Sequence, residues 1–358
     1  MISIIAFVKT LARSGINATN NMRALSPLRL LADGPDFAID VVSAHEVLGA
    51  GQDSALLDRD IVLLSRRYGL KEAQGQVVEE AHRLGAVVIF DTDDDLSGQQ
   101  RNSRHGGDFI EAVSLADYVT VSTQHLGQEL AKFTRSRPVV LPNCLDVRWF
   151  SRASLRAERV FAPELVTIGL IGSDTHTGDW DSAAEAIQRL LDKYPNVLAV
   201  TATDVIPWSV QGLSRLATIK PVPYYAYPEL VRQIDIVCCC LDDRDPFNCS
   251  KSSVKALESM AAARQLSNGR IGGAVAVCTN MLPYQGVING RNGLLINNDQ
   301  WYDALEELVQ DAARRNQMAA DGLEWVTEHR NIEREFYRWG RLYKEILGGS
   351  IVLEGVGR

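Results

Sequence analysis

The sequence predicts an α/β protein of two doubly wound, parallel-sheet domains. Three observations carry that expectation. Short apolar runs rich in Val and Ile recur along the chain, as strands buried on both faces do. Amphipathic stretches with three-and-four spacing separate them, which reads as strand–helix–strand repetition. The units come in two sets, with a break from Pro142-Asn143 through Pro163, where Arg and Ser dominate and periodicity fades. The 358 residues suit two domains of about 100–200 residues each.

In order, the first set of runs is Ile2–Val8, Ile39–Ser43, Ile61–Leu64, Val87–Phe90, Tyr118–Ser122 and Val139–Leu141. The second is Val166–Ile171, Val197–Thr203, Ile234–Cys240, Ala274–Cys278 and Leu294–Ile296. Val77, Val78, Ala81 and Leu84 form one helical face, and Ala183, Ala184, Ile187, Leu190, Leu191 and Tyr194 another. From Ile332 the tail carries Phe336, Trp339, Leu342, Tyr343 and Ile346, a helical stripe that needs an apolar surface to lie on.

Composition narrows the function. The net charge of −8 argues against a broad nucleic-acid surface. With 46% hydrophobic and 23% charged residues the chain is ordinary globular protein. No apolar run reaches the ~18 residues of a membrane span. Met1–Val8 reads as a first strand rather than a signal peptide. Six cysteines make no framework: Cys238, Cys239 and Cys240 are neighbours on a strand, alternate in direction and cannot form one metal cage. Buried thiols in a reducing, cytoplasmic setting are expected.

Parallel sheets bind ligands at the carboxyl ends of their strands, so the loops after strands matter most. Asp91, Asp93, Asp94 and Asp95 follow the run Val87–Phe90. Four like charges so close need compensation by a metal, basic groups, hydroxyl donors or water. A calcium loop fails, because its sixth and twelfth positions would be Leu96 and Asn102. A Mg²⁺-dependent aspartyl phosphatase of the haloacid-dehalogenase type would use Asp91 and Asp93, with Asp242-Asp243 as its late acidic pair. An Asp-x-Asp metal motif of sugar transferases and an acidic loop that bonds only locally also remain open.

The stretch Phe247–Met260 reads as a loop entering a helix, with Ser250 as N-cap. Lys251, Lys255 and Glu258 then share one face, while Val254, Leu257 and Ala261 pack. A helix N-terminus with two lysines suits a diphosphate. Glu258, one turn deeper, suits two vicinal ribose hydroxyls. A solvated Lys/Glu face is the plain alternative. Gly172 in Ile168–Trp180 lets backbone approach a ligand, with Ser173, Thr175 and Thr177 as donors, though neither a dinucleotide fingerprint nor a P-loop is present. The polar loop Gly15–Arg23 is expected to reach across a cleft or simply to connect. His105, His125 and His176 are lone histidines.

Together these pieces resemble the GT-B-fold glycosyltransferases, in particular the family 4-like group that uses nucleotide sugars. Ala116–Thr123, Val140–Asp146 and the string Phe247-Asn248…Lys251-Ser252…Lys255-Ala-Leu-Glu258 carry the resemblance. So do Ala274–Thr279 and Asn289-Gly-Arg-Asn-Gly293-Leu-Leu. It implies two Rossmann-like domains facing across a cleft, an acceptor-side domain over 1–155 and a nucleotide-sugar domain over 156–328, with a last helix, 329–358, crossing back. Glu258 would hold the donor ribose and Lys251 the diphosphate. Gly172 and Ser173 would support the phosphates, with His176, Ser252 and Lys255 also on the donor. The base would lie near Pro221–Tyr224. Asp93, His105 and Arg23 would face the acceptor, with Lys251, Asp93 and His105 as the catalytic set. Three features depart from the family: Ser250 stands where a Glu is common, the loop Gly172–Asp179 lacks the Arg and Lys of many members, a charge that Lys251 and Lys255 would replace, and the Asp91–Asp95 carboxylates stand where many members have His.

The resemblance implies retaining, metal-independent transfer from a UDP- or GDP-type sugar to an acceptor hydroxyl, with no further cofactor. A silent nucleotide-sugar-binding module and the phosphatase are the alternatives. Acceptor identity and oligomeric state are not legible.

Overall fold

The apolar runs of the N-terminal half form one six-stranded parallel sheet in the computed structural model, which describes residues 1–8, 10–11, 15–16, 18–43, 57–65, 71–97, 106–172, 178–203, 205–266 and 268–349. Its strands are β1 (Ile2–Val8), β2 (Phe37–Ser43), β3 (Ile61–Ser65), β4 (Val87–Thr92), β5 (Tyr118–Val121) and β6 (Val139–Val140), in spatial order β2-β1-β3-β4-β5-β6. Alternation of side chains splits its core into two layers. Ile5, Phe7, Val62, Leu64, Val88 and Phe90 point to one face, under Val77, Val78 and Ala81 of the helix Lys71–Arg83. Ile4, Ala6, Ile61, Leu63 and Ile89 point to the other. There the tail stripe finds its surface: Trp339, Leu342, Tyr343 and Ile346 of the helix Tyr337–Leu347 are buried in that layer.

The second sheet is also parallel and six-stranded: β7 (Val166–Ile171), β8 (Val197–Ala202), β9 (Leu216–Thr218), β10 (Ile236–Cys239), β11 (Val275–Thr279) and β12 (Leu294–Ile296), in spatial order β9-β8-β7-β10-β11-β12. Strand β9 was not expected; three residues at the sheet's edge are too short a run to read. The helices Asp181–Lys193 and Trp301–Gln310 cover one face with Ile187, Leu190, Leu191, Trp301, Leu305 and Leu308. Cys238 and Cys240 belong to this layer, and all six cysteines are free thiols.

The chain divides into two compact units. One holds Met1–Cys144, Ser250–Ser252 and the tail from Ile332; the other holds Leu145–Cys249 and Ser253–Asn331. The second unit begins on a helix, Val147–Arg156, in the stretch where periodicity fades. Asp146 caps it, accepting from the Trp149 N–H at 2.9 Å. Its Arg and Ser residues mask a buried face of Val147, Phe150 and Ser154 at helical spacing.

Gly169 in β7 shows why a glycine interrupts an otherwise bulky strand. A Cβ there would lie 2.6 Å from Ile234 Cδ1 and 2.7 Å from its Cγ2. Gly169→Ala is therefore expected to destabilise the fold by about 1–3 kcal/mol, the usual range for overpacking. Trimming the neighbour with Ile234→Val should not worsen the loss, and Ile234→Ala should recover part of it, measured by urea denaturation. Equal stability of Gly169→Ala and wild type would show that the strand is not so tightly packed.

Candidate functional site

In the second sheet the strand order reverses between β7 and β10. At such a switch point neighbouring crossovers leave to opposite faces and open a crevice at the strands' carboxyl ends. Asp179 ties the two loops there together. Its buried Oδ1 accepts from the Asp242 N–H at 2.9 Å and from Asn248 Nδ2 at 2.7 Å. Asn248 Nδ2 also donates to the Asp242 carbonyl at 2.9 Å. Beside this staple lies a recess of about 450 Å³, lined by Asp179, Asp181, Asp242, Asp243, Arg244 and Asn298 among others. Arg244 grips Asp242 through two 2.9 Å hydrogen bonds, which hold that carboxyl below its ordinary range. With carboxylates in excess, the recess suits hydroxyl donors better than phosphates.

The stretch after this loop departs from expectation. Phe247–Ser250 is a separate short helix, and the next helix runs Val254–Ala261 with Ser253, not Ser250, at its N-cap. Lys251 and Ser252 lie in the non-helical link, so Lys251 does not share a helical face with Lys255 and Glu258. Consecutive serines explain the break, because their hydroxyls offer backbone groups partners outside a helix. The link clusters with the first unit. There Lys251 is buried, Thr123 Oγ1 reaches the Ser250 carbonyl at 3.5 Å, and Asn143 Nδ2 donates to Ser252 Oγ at 2.9 Å.

Lys255 and Glu258 stand in the second unit. Lys255 Nζ sits 5.9 Å from the ring centroid of buried Trp180. Glu258 is only 4% exposed. Burial pushes its carboxyl up to about 8, against the opposing pulls of the Lys255 charge and a hydrogen bond from the Tyr227 hydroxyl. Burial likewise raises the Tyr227 hydroxyl. Tyr227 stacks on Tyr224 at 6.4 Å and meets Phe150 edge-on at 6.4 Å, while Trp149 packs on Tyr224 at 5.5 Å. This aromatic wall includes the end of the expected base-binding stretch Pro221–Tyr224. Tyr227, Asp179 and Asn248's second bond are features the sequence reading did not assign. The only trace of Tyr227 is its three-residue spacing from Tyr224.

In the first unit, strand register lines up Ser65, Asp91 and Thr120 across the carboxyl ends of β3, β4 and β5. Asp91 shares the parity of Ile89, so it faces the layer covered by the last helix. Arg23 comes in from that side. Its Nε and Nη2 reach Asp91 Oδ2 and Oδ1 at 3.0 and 2.5 Å, and Thr120 Oγ1 adds a 2.5 Å bond to Oδ1. Arg23 Nη1 also donates to the Leu141 carbonyl and, at 3.2 Å, to Asn143 Oδ1. Trp339 Nε1 donates to the Arg23 carbonyl at 3.2 Å and closes the site.

Two expectations change here. The segment after Ala18 is no open loop reaching outward: it forms helical turns whose side chains bond inward, and Arg23 is 1% exposed rather than acceptor-facing. The physical reason is the uncompensated Asp91 beneath it, which a guanidinium matches bidentately. Asp93 is buried as well, and its Oδ2 accepts from Thr19 Oγ1 at 3.1 Å. Arg23 thus links Asp91 to Asn143 and, through it, to Ser252 beside Lys251.

Gly172 closes β7, its N–H donating to the Ala202 carbonyl at 3.2 Å. Ser173, His176 and His105 lie outside the described residues. Among the described residues no His, Cys, Asp and Glu cluster has the geometry to hold a metal ion, and no helix is long and apolar enough to cross a membrane.

No known family profile and no curated protein matches the chain. Solved structures do. HepE of Anabaena in complex with UDP is similar at a TM-score of 0.64 and 11% identity, over 96% of this chain and 100% of that one. A glycosyltransferase from Rickettsia africae is similar at 0.64 and 11%, over 97% and 98%. The E. coli trehalose-6-phosphate protein bound with UDP-2-fluoro glucose is similar at 0.61 and 12%, over 96% and 99%. The fold is that of the GT-B glycosyltransferases.

Proposed function

We propose that this chain transfers a sugar from a nucleotide-diphosphate sugar to an acceptor hydroxyl, as a retaining and metal-independent glycosyltransferase. The observation that carries the reading is the Lys255–Glu258 helix, which follows the switch-point loop in a GT-B fold. Glu258 accepts from the ribose hydroxyls. Lys255 attracts the diphosphate, and the backbone at Gly172 approaches it; the resemblance assigns Lys251, Ser173 and His176 to the donor as well. The aromatic wall around Tyr224 packs the base. UDP and UDP-sugars in the similar structures favour a UDP-type donor.

The chemistry follows from charge. As the anomeric carbon becomes cationic, negative charge grows on the departing diphosphate. Fixed lysines and backbone N–H groups stabilise that charge without reorganising. Retention requires the acceptor hydroxyl to be held on the face of the sugar that the diphosphate leaves, and such positioning supplies much of the rate; the resemblance assigns Asp93 and His105 to that hydroxyl.

The phosphatase alternative loses its nucleophile, because both oxygens of Asp91 are held by Arg23 and Asp242 is held by Arg244. An attacking carboxylate must have a free oxygen aimed at phosphorus.

A thermal-shift screen with UDP, GDP, ADP and their sugars tests the reading, since a ligand for the folded state raises its melting temperature. A UDP-type compound should give the largest rise, and transfer activity should persist in EDTA. If no nucleotide shifts melting, the donor site is wrong. Binding with no turnover in any acceptor mixture would leave a silent module, the outcome that Ser250 in place of a carboxylate would then explain.

A further inference from the structure

At the opposite ends of β7 and β10 lies a second polar cluster, built wholly within the second unit. Asp235, 3% exposed, stands just before β10. Arg159 grips it through Nη1 and Nη2 at 3.1 and 2.8 Å, and Arg264 Nη2 meets its Oδ1 at 2.6 Å. Thr167 adds its N–H and its hydroxyl to Oδ2, both at 2.9 Å. Burial works to raise the Asp235 carboxyl, but the hydrogen bonds from Arg159 and the charges of both arginines outweigh it and hold the group well below its ordinary range. Asp235 is therefore ionised at the centre of this cluster.

Two more arginines face the same cluster. The charges of Arg264 and Arg159 act on both Arg232 and Arg315. Arg315 is 8% exposed, and one of its amino groups donates to the Leu308 carbonyl. The Nε and Nη1 of the Arg232 side chain have no hydrogen-bond partner among the described residues. Burial first, then the neighbouring guanidiniums, pull Arg232 below its ordinary value. For Arg315 burial also dominates and lowers it; Asp235 raises it, Arg264 and Arg159 lower it, and Asp311 is the weakest influence. Arg159, Arg264 and Arg315 thus share Asp235, and Arg232 adds a fourth guanidinium beside Arg159 and Arg264, in a protein whose overall charge is −8.

The donor inventory points the same way. Arg159 Nε, Arg232 Nε and Nη1, Arg264 Nη1 and Arg315 Nε are buried and find no acceptor among the described residues. Buried donors left unmade are rare and costly, the more so when charged. Water alone would supply acceptors but no countercharge. A tetrahedral oxyanion with two negative charges supplies both, and forked guanidiniums match its oxygens.

We propose that Arg159, Arg232, Arg264 and Arg315 form a binding site for a phosphoryl dianion, separate from the donor site. The six residues of β7 put the two sites at opposite edges of the sheet, roughly 17 Å apart along the strand. Asp235 orients Arg159 and Arg264; Arg232 and Arg315 supply the uncompensated charge. Free phosphate and a phosphate monoester present the same oxygens, so both belong to the expected ligand class.

Isothermal titration of the full chain with inorganic phosphate, and separately with glycerol 3-phosphate, at ionic strength held constant with chloride, tests this. Saturable binding near one ion per chain is expected. The stronger of the two ligands identifies the source. Arg232→Met removes a guanidinium whose Nε and Nη1 hold no partner among the described residues, so the variant should fold and melt, without phosphate, no lower than wild type. It should bind phosphate at least about tenfold more weakly, the loss of one charge-assisted hydrogen bond. Lys255→Ala should leave this binding intact. Absence of saturable binding in wild type overturns the proposal. So does wild-type affinity in Arg232→Met, or loss of phosphate binding in Lys255→Ala, which would assign the ion to the donor site.

Discussion

Replacing Arg23 with methionine is expected to destabilise the protein by about 3–5 kcal/mol, the range for removing one partner of a buried ion pair. The argument rests on what is left behind. Asp91 is 2% exposed, and its oxygens meet Arg23 and Thr120. Without the guanidinium, one hydroxyl faces a buried carboxylate, and the Leu141 carbonyl and Asn143 Oδ1 each lose a donor. Met matches the aliphatic stem, so the loss measures charge rather than volume. The double variant Arg23→Met with Asp91→Leu should recover much of the stability, because apolar replacement of both partners is often neutral. Urea denaturation of the four proteins of this cycle gives the coupling directly. If Arg23→Met alone cost under about 1 kcal/mol, the pair would have to be hydrated rather than buried. A loss of turnover larger than the loss of folded protein would show that Asn143 and Ser252 carry Arg23's influence to Lys251.

Glu258 should make donor binding depend on pH in a defined direction. Burial lifts its carboxyl to about 8 in the folded protein, from an ordinary value of 4.5. The free protein therefore keeps this proton through neutral pH. Ribose hydroxyls donate to a carboxylate, so binding favours the ionised form and releases the proton. Affinity for UDP-glucose should rise with pH, by up to about tenfold per unit below 8, and level off above it. Glu258→Gln should bind weakly and show no such slope. Tyr227→Phe removes a hydrogen bond that favours the ionised form, so its plateau should move to higher pH. A wild-type affinity that does not change from pH 6 to 8 would refute the assignment of Glu258 to the ribose.

The same group has a stability consequence with the matching sign. Its folded value lies above its unfolded one, so the stability tied to the retained proton is full below about 4.5 and lost as pH rises through 8. Between those limits wild type should lose stability relative to Glu258→Gln, whose neutral amide does not titrate. Parallel curves for the two proteins, by chemical denaturation at several pH values, would mean that Glu258 is already ionised.

Much was legible in the residues themselves. Buried parallel strands are continuous Val- and Ile-rich runs, so β1, β3, β4, β7 and β10 announce themselves, and the stripe Trp339, Leu342, Tyr343 and Ile346 announces a helix in need of a surface. Local periodicity records burial, and burial in a parallel sheet is a property of each segment. The Lys255–Glu258 spacing within one helix was readable for the same reason. Where a side chain meets a distant partner, the sequence carried no signal. Nothing near Arg23 names Asp91, 68 residues on. Nothing near Arg159 announces Asp235, Arg264 or Arg315, and nothing announces that Tyr227 turns its hydroxyl onto Glu258. The break after Ser250, which parts Lys251 from the helix of Lys255, was equally hidden. These arrangements follow from charges and donors that burial deprives of water. Their partners are set by sheet register and strand order, which only the folded chain brings into being.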